Sequence, residues 1–443
     1  MNNIYRLAKT FYGGIHPDKG GKELSCNAQL ITAPLLNVYN IPLAQNAGKA
    51  PTILINKGDH VSKYQLIAQA DGFVSSNIHA PTSGTIIDIK LMPSSIGTPV
   101  MTAILEADKL DEGKSPFEKI ENWQTADAKE LLTRVGDAGI VGMGGASFPA
   151  RVKLSPPAEK NIDTLILNGA ECEPYLTADH RLMLDYPEKV LAGAAISARI
   201  LGVNNIYIGI EINKIDAIKS LEEHASKYNV KIVPLKVSYP QGSEKQLIEV
   251  ITNRQIPSGC LPMDVQCVVQ NVGTAAAIAD AVLEGVPSIE RIVTVTGSCV
   301  VKPGNFKLRI GTPVLKAIEL AGGVKSEPGK LILGGPMMGF AQKTLEANVS
   351  KNTSGILLLS TKEALAYESD NSCIRCGKCV KACPIRIQPC LLATAIESGR
   401  TDLAQLNHVM DCIECGACAY ACPAHRPLVQ HIRRAKAQLR RQK

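Results

Sequence analysis

Two runs of cysteine near the end of the chain hold its densest chemistry. The first is Cys373, Cys376, Cys379 and Cys383, followed by Pro384; the second is Cys412, Cys415, Cys418 and Cys422, followed by Pro423. Each follows C-x2-C-x2-C-x3-C-P, the spacing that holds [4Fe-4S] cubanes in two-cluster proteins. Three closely spaced thiolates in a tight loop supply three corners of one cubane. The fourth cysteine, ahead of a helix-resisting proline, is displaced toward the other. The expected ligand sets are Cys373, Cys376, Cys379 and Cys422 for one cluster and Cys412, Cys415, Cys418 and Cys383 for the other. Gly377 and Gly416, at matching positions, let the backbone turn closely around sulfur. Zinc and a disulfide framework are the competing readings. Zinc sites usually pair cysteine dyads at longer separation, and the rest of the chain does not read as secreted. Two one-electron centres side by side make a wire, so the remaining residues must supply what feeds it.

A second group of residues suits a nucleotide. The stretch Gly142-Met-Gly-Gly-Ala-Ser-Phe-Pro-Ala-Arg-Val-Lys153 is glycine-rich with a lysine close by. Backbone N–H groups and an ammonium in that arrangement can meet a phosphate. It matches neither G-x-x-x-x-G-K-[ST] nor G-x-G-x-x-G directly after a strand, so alone it reads nearly as well as a plain turn. The phrase Leu165-Ile-Leu-Asn168-Gly-Ala-Glu171-Cys-Glu173-Pro174 reads as a buried strand ending in polar side chains, where α/β sheets bind ligands. Asn168 can hydrogen-bond a flavin edge or a ribose, and Glu171 and Glu173 can accept from hydroxyls or amides.

These groups need elements to position them. Residues 13–110 read as short strands and turns, with Thr52–Asn56 and Phe73-Val-Ser-Ser β-like and turn signals at Lys57-Gly-Asp59 and Thr82-Ser-Gly84. The phrase Asn56–Ile67 followed by His79–Ile86 resembles a barrel-sandwich hybrid without a modifiable lysine at its hairpin tip. From Asp127 the pattern becomes α/β: helix 127–138, strand 165–168, helix 189–201, strand 205–211, helix 214–227 and strand from 231. From 289 the chain returns to strands around a helix at 313–320. Residues 353–368 then bridge to helices at 391–398 and 403–410, on either side of a break at Gly399.

With those elements in place, the glycine loop and Asn168-x-x-Glu-x-Glu-Pro174 resemble the FMN- and NADH-binding flavoprotein subunit of respiratory complex I. Tyr239–Leu247 and Val269–Thr274 resemble that family's later flavin-contacting stretches. Adding the N-terminal hairpin domain and the two-cluster end, the chain from Gly13 to Pro423 resembles the C subunits of Rnf/Rsx ion-translocating electron-transport complexes. The resemblance implies a barrel-sandwich-like domain (1–115), an FMN/NADH-binding α/β domain (120–288), a β-grasp SLBB module (289–352), an α-helical two-cluster ferredoxin domain (353–424) and a basic tail (425–443). It implies that Gly142, Gly144 and Gly145 form the loop against flavin and nucleotide, with Phe148 stacking on the dinucleotide and Lys153 near the FMN phosphate. Asn168 would meet the isoalloxazine or ribityl chain, Glu171 and Glu173 would line the pocket, and Glu244 and Asn271 would complete it. The chain departs from the complex I pattern at Met143 (Arg there), Ala170 (Asp there) and Ser243 (Glu there).

Composition narrows the class. The 443 residues are 45% hydrophobic and 20% charged, ordinary for a soluble multidomain protein. No apolar run reaches membrane-spanning length and the start has no h-region, so neither a transmembrane helix nor a signal peptide is expected. The cysteine usage suggests a reducing cytoplasm, with Cys26, Cys172, Cys260, Cys267, Cys299 and Cys390 as small buried hydrophobes. From Ala424 onward the chain carries seven Lys and Arg and no acid. Apolar residues at helical spacing there suggest a basic amphipathic helix for a membrane surface or acidic partner, with plain solvation the rival. No nucleic-acid-binding module precedes it.

The expected activity is that of an NADH-linked oxidoreductase within a translocase. It would pass electrons between NAD(H), non-covalent FMN and two clusters, to or from other subunits or a ferredoxin-like iron–sulfur partner. Its expected place is peripheral, on the cytoplasmic face of the inner membrane. Two rivals are a flavin/iron–sulfur cobalamin reductase, disfavoured by the hairpin domain, and a non-catalytic cluster relay with a degenerate flavin pocket.

Overall fold

The structure is a computed structural model describing residues 6–17, 20–95, 97–364 and 372–441. At its centre lies a parallel sheet in the order Val230–Leu235, Asn205–Glu211, Thr164–Asn168, Cys267–Asn271. Apolar β-branched runs favour such a doubly covered sheet, and Leu165, Leu167, Ile206, Ile208 and Val268 are all buried in one core. Successive strands step one way from Thr164–Asn168, then the last strand joins on the other side. That reversal makes a crevice beyond the strands' carboxyl ends. Asn168 and Asn271 end the two strands flanking it and are register partners.

Helices Pro187–Leu201 and Val272–Ala279 cover one face of this sheet. They touch so closely at Gly193 that a Cβ there would lie 1.8 Å from the Ala275 carbonyl oxygen. The contact holds the helix that Asn271 caps.

The N-terminal domain pairs a four-stranded antiparallel sheet (Val38–Pro42, Val100–Ala107, Gly84–Met92, His60–Val61) with a three-stranded one (Thr52–Ile53, Leu66–Gln69, Ile78–His79). Tyr39, Ile41, Ile67, Ile86 and Leu105 are buried together in its core. Phe73-Val-Ser-Ser, expected as a strand, is instead an irregular bend. Phe73 is 59% exposed, and the Val74 carbonyl accepts from Lys49 outside any ladder.

The third body is a six-stranded mixed sheet, ordered Leu30–Thr32, Gly304–Arg309, Glu290–Thr296, Gly355–Ser360, Pro328–Leu333, Phe340–Gln342, with helix Val314–Leu320 packed on it. Two expectations are corrected here. Gly355–Ser360, placed with the cluster segment, is an inner strand of this sheet, and Leu30–Thr32, placed with the N-terminal domain, is its edge. An all-apolar Gly-Ile-Leu-Leu-Leu run has to be buried on both faces, which an inner position in this sheet offers and the short helices around the cysteines do not. The remainder of the expected bridge, beyond Ala364, lies outside the described residues.

The cluster segment consists of short helices at Lys378–Ala382, Pro389–Glu397, Thr401–Leu406 and Ala417–Tyr420, closed by Leu428–Arg441. The last is the expected basic amphipathic helix, but its apolar stripe is not free for a membrane. Ile432, Ala435 and Leu439 are buried against Leu392, Ile396, Ala404 and Val409. Lys436 turns inward to the Cys412 carbonyl and Glu414.

The N-terminal segment threads all of these bodies together. Lys9 bridges to Leu235, Ile15 exchanges hydrogen bonds with Tyr239, and Gly14 donates to the Ala382 carbonyl at 3.0 Å.

In an open helix, Gly→Ala stabilises by about 1 kcal/mol. At Gly193 the carbonyl contact reverses the sign: Gly193→Ala should destabilise the chain by roughly 2 kcal/mol, read as a lowered midpoint in an anaerobic thermal melt. An unchanged or raised midpoint would show that the two helices separate without cost.

Candidate functional site

The glycine loop is a closed hairpin at the crevice. Val141 pairs with Pro149, and Gly142 N–H donates to the Phe148 carbonyl at 2.8 Å. The loop leans on the helix after Asn271, where Met143 N–H donates to Thr274 Oγ1 at 2.9 Å. A Cβ on Gly144 would fall 2.9 Å from Asn271 Nδ2, whereas one on Gly145 would meet nothing within 4 Å. The backbone therefore passes tightly over Asn271 and then faces open space, where a ligand can approach peptide N–H groups. Phe148 is 37% exposed at the end of the hairpin.

The two asparagines tie this cradle to the sheet. Asn271 Oδ1 caps its helix by accepting from Gly273 N–H at 2.8 Å, while its Nδ2 donates to Asp179 Oδ2 at 2.7 Å. Asn168 Nδ2 donates to the Gly242 carbonyl at 2.7 Å, fixing the loop that leads to Glu244. Lys153 already has partners: its ammonium forms a close ion pair with Glu244 and donates to the Val269 carbonyl at 2.9 Å. An incoming phosphate would have to share it.

The two glutamates expected to line one pocket diverge. Glu171 turns under the loop and caps helix Ala178–Asp185, accepting from Asp179 N–H at 2.7 Å and His180 N–H at 3.2 Å. Glu173 points to the β-grasp module and accepts from Met337 N–H at 3.1 Å and Met338 N–H at 2.9 Å. Beneath them Lys22 donates to the carbonyls of Glu171 and Glu173 at 2.8 Å each and to that of Leu176 at 2.5 Å. Burial pushes the Glu173 carboxyl up to about 7. Burial, and then the charge of Glu171, raises Asp179 to about 6. Sequence reasoning missed Asp179 and Lys22, whose partners lie far along the chain. The crevice, the bare backbone at Gly144 and Gly145 and the flanking amides supply the open approach and the donors that a flavin mononucleotide would need.

The cysteine runs form two matching loops. Arg375 and Gly377 adopt φ of 55° and 73°, and Glu414 and Gly416 repeat this with 57° and 82°. In each loop a backbone N–H points at the first sulfur: Arg375 N–H lies 3.4 Å from Cys373 Sγ and Glu414 N–H 3.3 Å from Cys412 Sγ. Cys383 stands within electrostatic reach of Cys412, Cys415 and Cys418, and Cys422 packs beside Cys379. Crossed ligand sets for a pair of cubanes would need these two proximities. Among the described residues no three ligands converge on a single-ion site. A cubane presents four corners rather than one centre and does not need that convergence. Cys390, outside both runs, packs beside Cys379 and Cys422. Cys373 and Cys376 are exposed, whereas Cys379, Cys383, Cys415 and Cys418 are buried, and Cys415 packs with Ile15 and Tyr239 on the flavin-pocket side. There Tyr239, 1% exposed, donates its hydroxyl to the Cys415 carbonyl at 2.7 Å.

Known proteins share this plan. Residues 9–110 match an RnfC barrel sandwich hybrid domain, 135–280 a Nuo51 FMN-binding domain, 292–341 an SLBB domain and 365–423 a 4Fe-4S dicluster domain. The chain is 47% identical to the C subunit of the proton-translocating ferredoxin:NAD(+) oxidoreductase complex of Clostridium ljungdahlii, over 98% of this chain and 95% of that one. It belongs to the C-subunit family of ion-translocating oxidoreductase complexes. Within that family it is 44% identical to the C subunit of the Na(+)-translocating ferredoxin:NAD(+) oxidoreductase complex of Acetobacterium woodii, over 97% of each chain. The corresponding protein of the Rhodobacter capsulatus ion-translocating oxidoreductase complex is 42% identical, over 96% of this chain and 82% of that one. A crystal structure of an NAD+-reducing [NiFe]-hydrogenase in the H2-reduced state shares the fold, with a TM-score of 0.51 and 20% identity over 74% of this chain and 66% of that one. No helix among the described residues is long and apolar enough to cross a membrane.

In this family member the raised Glu173 carboxyl has a consequence for stability. The folded state binds its proton more tightly than the unfolded chain, so stability falls as pH rises from about 4.5 toward about 7 and levels off above. Glu173→Gln should remove that component, so that melting midpoints of parent and variant diverge between pH 5 and 8 in the variant's favour. Parallel midpoint curves would show that Glu173 titrates as an ordinary surface carboxylate.

Proposed function

We propose that this C-family chain is the NAD(H)-facing electron-transfer arm of a membrane-bound ion-translocating complex. It would pass electrons between NAD(H), FMN and two [4Fe-4S] clusters, to or from partner subunits at the cytoplasmic face of the inner membrane. When bound, FMN supplies the exchange between a two-electron hydride and single electrons. The chain's own contribution is position. The strand-end amides and the glycine hairpin hold the flavin cradle, and the Tyr239 hydroxyl joins the 239–244 loop of that cradle to the backbone of Cys415.

That hydrogen bond is the observation supporting an order for the wire. Cys415, of the group Cys383, Cys412, Cys415 and Cys418, is joined to the flavin-side loop through Tyr239, which makes this the inner group; in the other group Cys379 is buried but Cys373 and Cys376 are exposed, where a partner can reach them. The relay reading with a degenerate pocket rested on Met143 and Ala170. Both are packed inside, 5% and 0% exposed, and act through backbone atoms, so neither substitution removes a side chain from the open face of the cradle. Relatives named for proton and for sodium translocation are nearly equally similar to this chain, which supports a choice of ion made in other subunits.

The test is anaerobic reduction of the purified chain with FMN. NADH should bleach the flavin and bring up two reduced [4Fe-4S] signals by EPR. Cys383→Ala should remove the inner cluster and leave the outer one reducible by dithionite but at least about tenfold slower with NADH. Cys422→Ala should remove the outer cluster and leave the inner one fully responsive to NADH. Equal NADH response in both variants would reverse or abolish the proposed order. No flavin binding, with no response to NADH in a chain that dithionite reduces, would leave the relay reading in its place.

A further inference from the structure

The β-grasp sheet sends one charged side chain into the flavin-side domain. Arg291, in strand Glu290–Thr296, is 7% exposed. One terminal nitrogen donates to the Met143 carbonyl at 2.6 Å, and the other makes a close bond to the Lys351 carbonyl. The carboxylate facing it is Asp179, the partner of Asn271. Burial lowers the guanidinium to about 10, which leaves it charged at neutral pH. Met143 is therefore gripped from both sides: its carbonyl by Arg291 and its N–H by Thr274. The residues that follow, Gly144 and Gly145, are the ones whose bare backbone faces the cradle.

A loop of this composition does not hold its own shape. Glycines lose the most conformational freedom on ordering, and the space that a Cβ on Gly145 would enter is open, so nothing packs against the loop on that side. A charge-assisted bond from a rigid fork is among the stronger restraints a protein can apply to one peptide group. Desolvating a guanidinium is costly, so a buried one with carbonyl partners on two bodies is poorly explained as filler.

We propose that Arg291 is the positioning residue of the flavin cradle: from the β-grasp module it presets the Gly142–Phe148 hairpin, so that this module, outside the flavin domain, sets flavin affinity. This rests on the flavin reading above. Arg291 bonds to the hairpin at the Met143 carbonyl and acts through it. The rival is a domain clamp that stabilises the fold and leaves flavin binding alone.

The two separate in a titration of the full chain with FMN, followed by quenching of flavin fluorescence. Arg291→Met should weaken FMN binding about tenfold or more, and Arg291→Lys, which keeps the charge but loses the fork, by a few-fold. Thr296→Val, a buried change in the same strand, should leave the affinity unchanged. Dithionite-reduced EPR signals certify that each variant is folded. A folded Arg291→Met that binds FMN within twofold of the parent overturns the proposal. A parent chain that binds no FMN overturns the flavin reading instead, which tells the two failures apart. Hydrogen–deuterium exchange of the unsubstituted chain gives a second reading that needs no variant. The amides of Gly142 and Met143 should be protected before FMN is added, and protection appearing only with FMN would mean that the hairpin is not preset.

Discussion

Two lysine ammonium groups hold the loop that leaves the central strand, and most of the functional geometry hangs from that loop. Lys214, 1% exposed, donates to the Ala170 carbonyl at 2.7 Å, and Lys22 satisfies three further carbonyls between Glu171 and Leu176. Carbonyls in a tight, irregular loop cannot be paired by a ladder, and burying them unpaired would cost more than the loop could recover. Supplying cations from elsewhere lets the chain turn sharply after Asn168 while keeping it close to three bodies at once. Glu171 then reaches a helix start, Glu173 reaches the β-grasp module, and Cys172 accepts from Gly242 N–H beside the cluster segment.

Charge is used throughout as mortar between bodies. Arg291, Lys351 and Arg309 each cross a domain boundary to backbone carbonyls or to a carboxylate: Lys351 to Asn77 and Gly139, Arg309 to Asp111 and Pro81. Such bonds are directional, unlike apolar burial, so they fix the angle between bodies as well as their contact. For an electron-transfer protein that matters, because tunnelling depends on the spacing between a flavin cradle in one body and cysteines in another.

The sequence was most legible where the relevant partners lie close along the chain. The cysteine runs announce themselves by spacing, and the proline after Cys383 and after Cys422 is what suggests that these two cross over. Three of the four α/β strands were readable from their apolar runs and Asn168 from its place at a strand end, whereas Asn271 was reached only through the resemblance and its strand, Cys267–Asn271, was not read. What periodicity cannot convey is the identity of the covering surface. The stripe Ile432, Ala435 and Leu439 is a clear helical face, yet whether it meets lipid or the helix Pro389–Glu397 depends on residues elsewhere. Arg291 sits in a run that reads as plain strand, Lys22 in a glycine-rich turn, and Asp179 beside a helix start. Each acquires its meaning only from a partner far away in sequence. The diverging glutamates show the same limit: two residues apart in a strand-end loop, they face different bodies because the left-handed turn at Glu171, φ 43°, breaks the alternation.

The N-terminal segment imposes a timetable on folding. Its contacts are with Leu235, Tyr239, Ala382 and the edge of the β-grasp sheet at Asn305–Lys307, all made from residues synthesised much later. Lys9 to Thr32 thus leave the ribosome long before their partners do and must wait for them. Until the cysteine runs have emerged, Gly14 has no Ala382 to bind, and the bodies already formed lack the strap that joins them. Contacts of such long sequence separation form slowly and leave apolar edges uncovered while they wait. Closure of the strap would be the final step of maturation, and it would come only after the segment that carries the cysteines had taken its place.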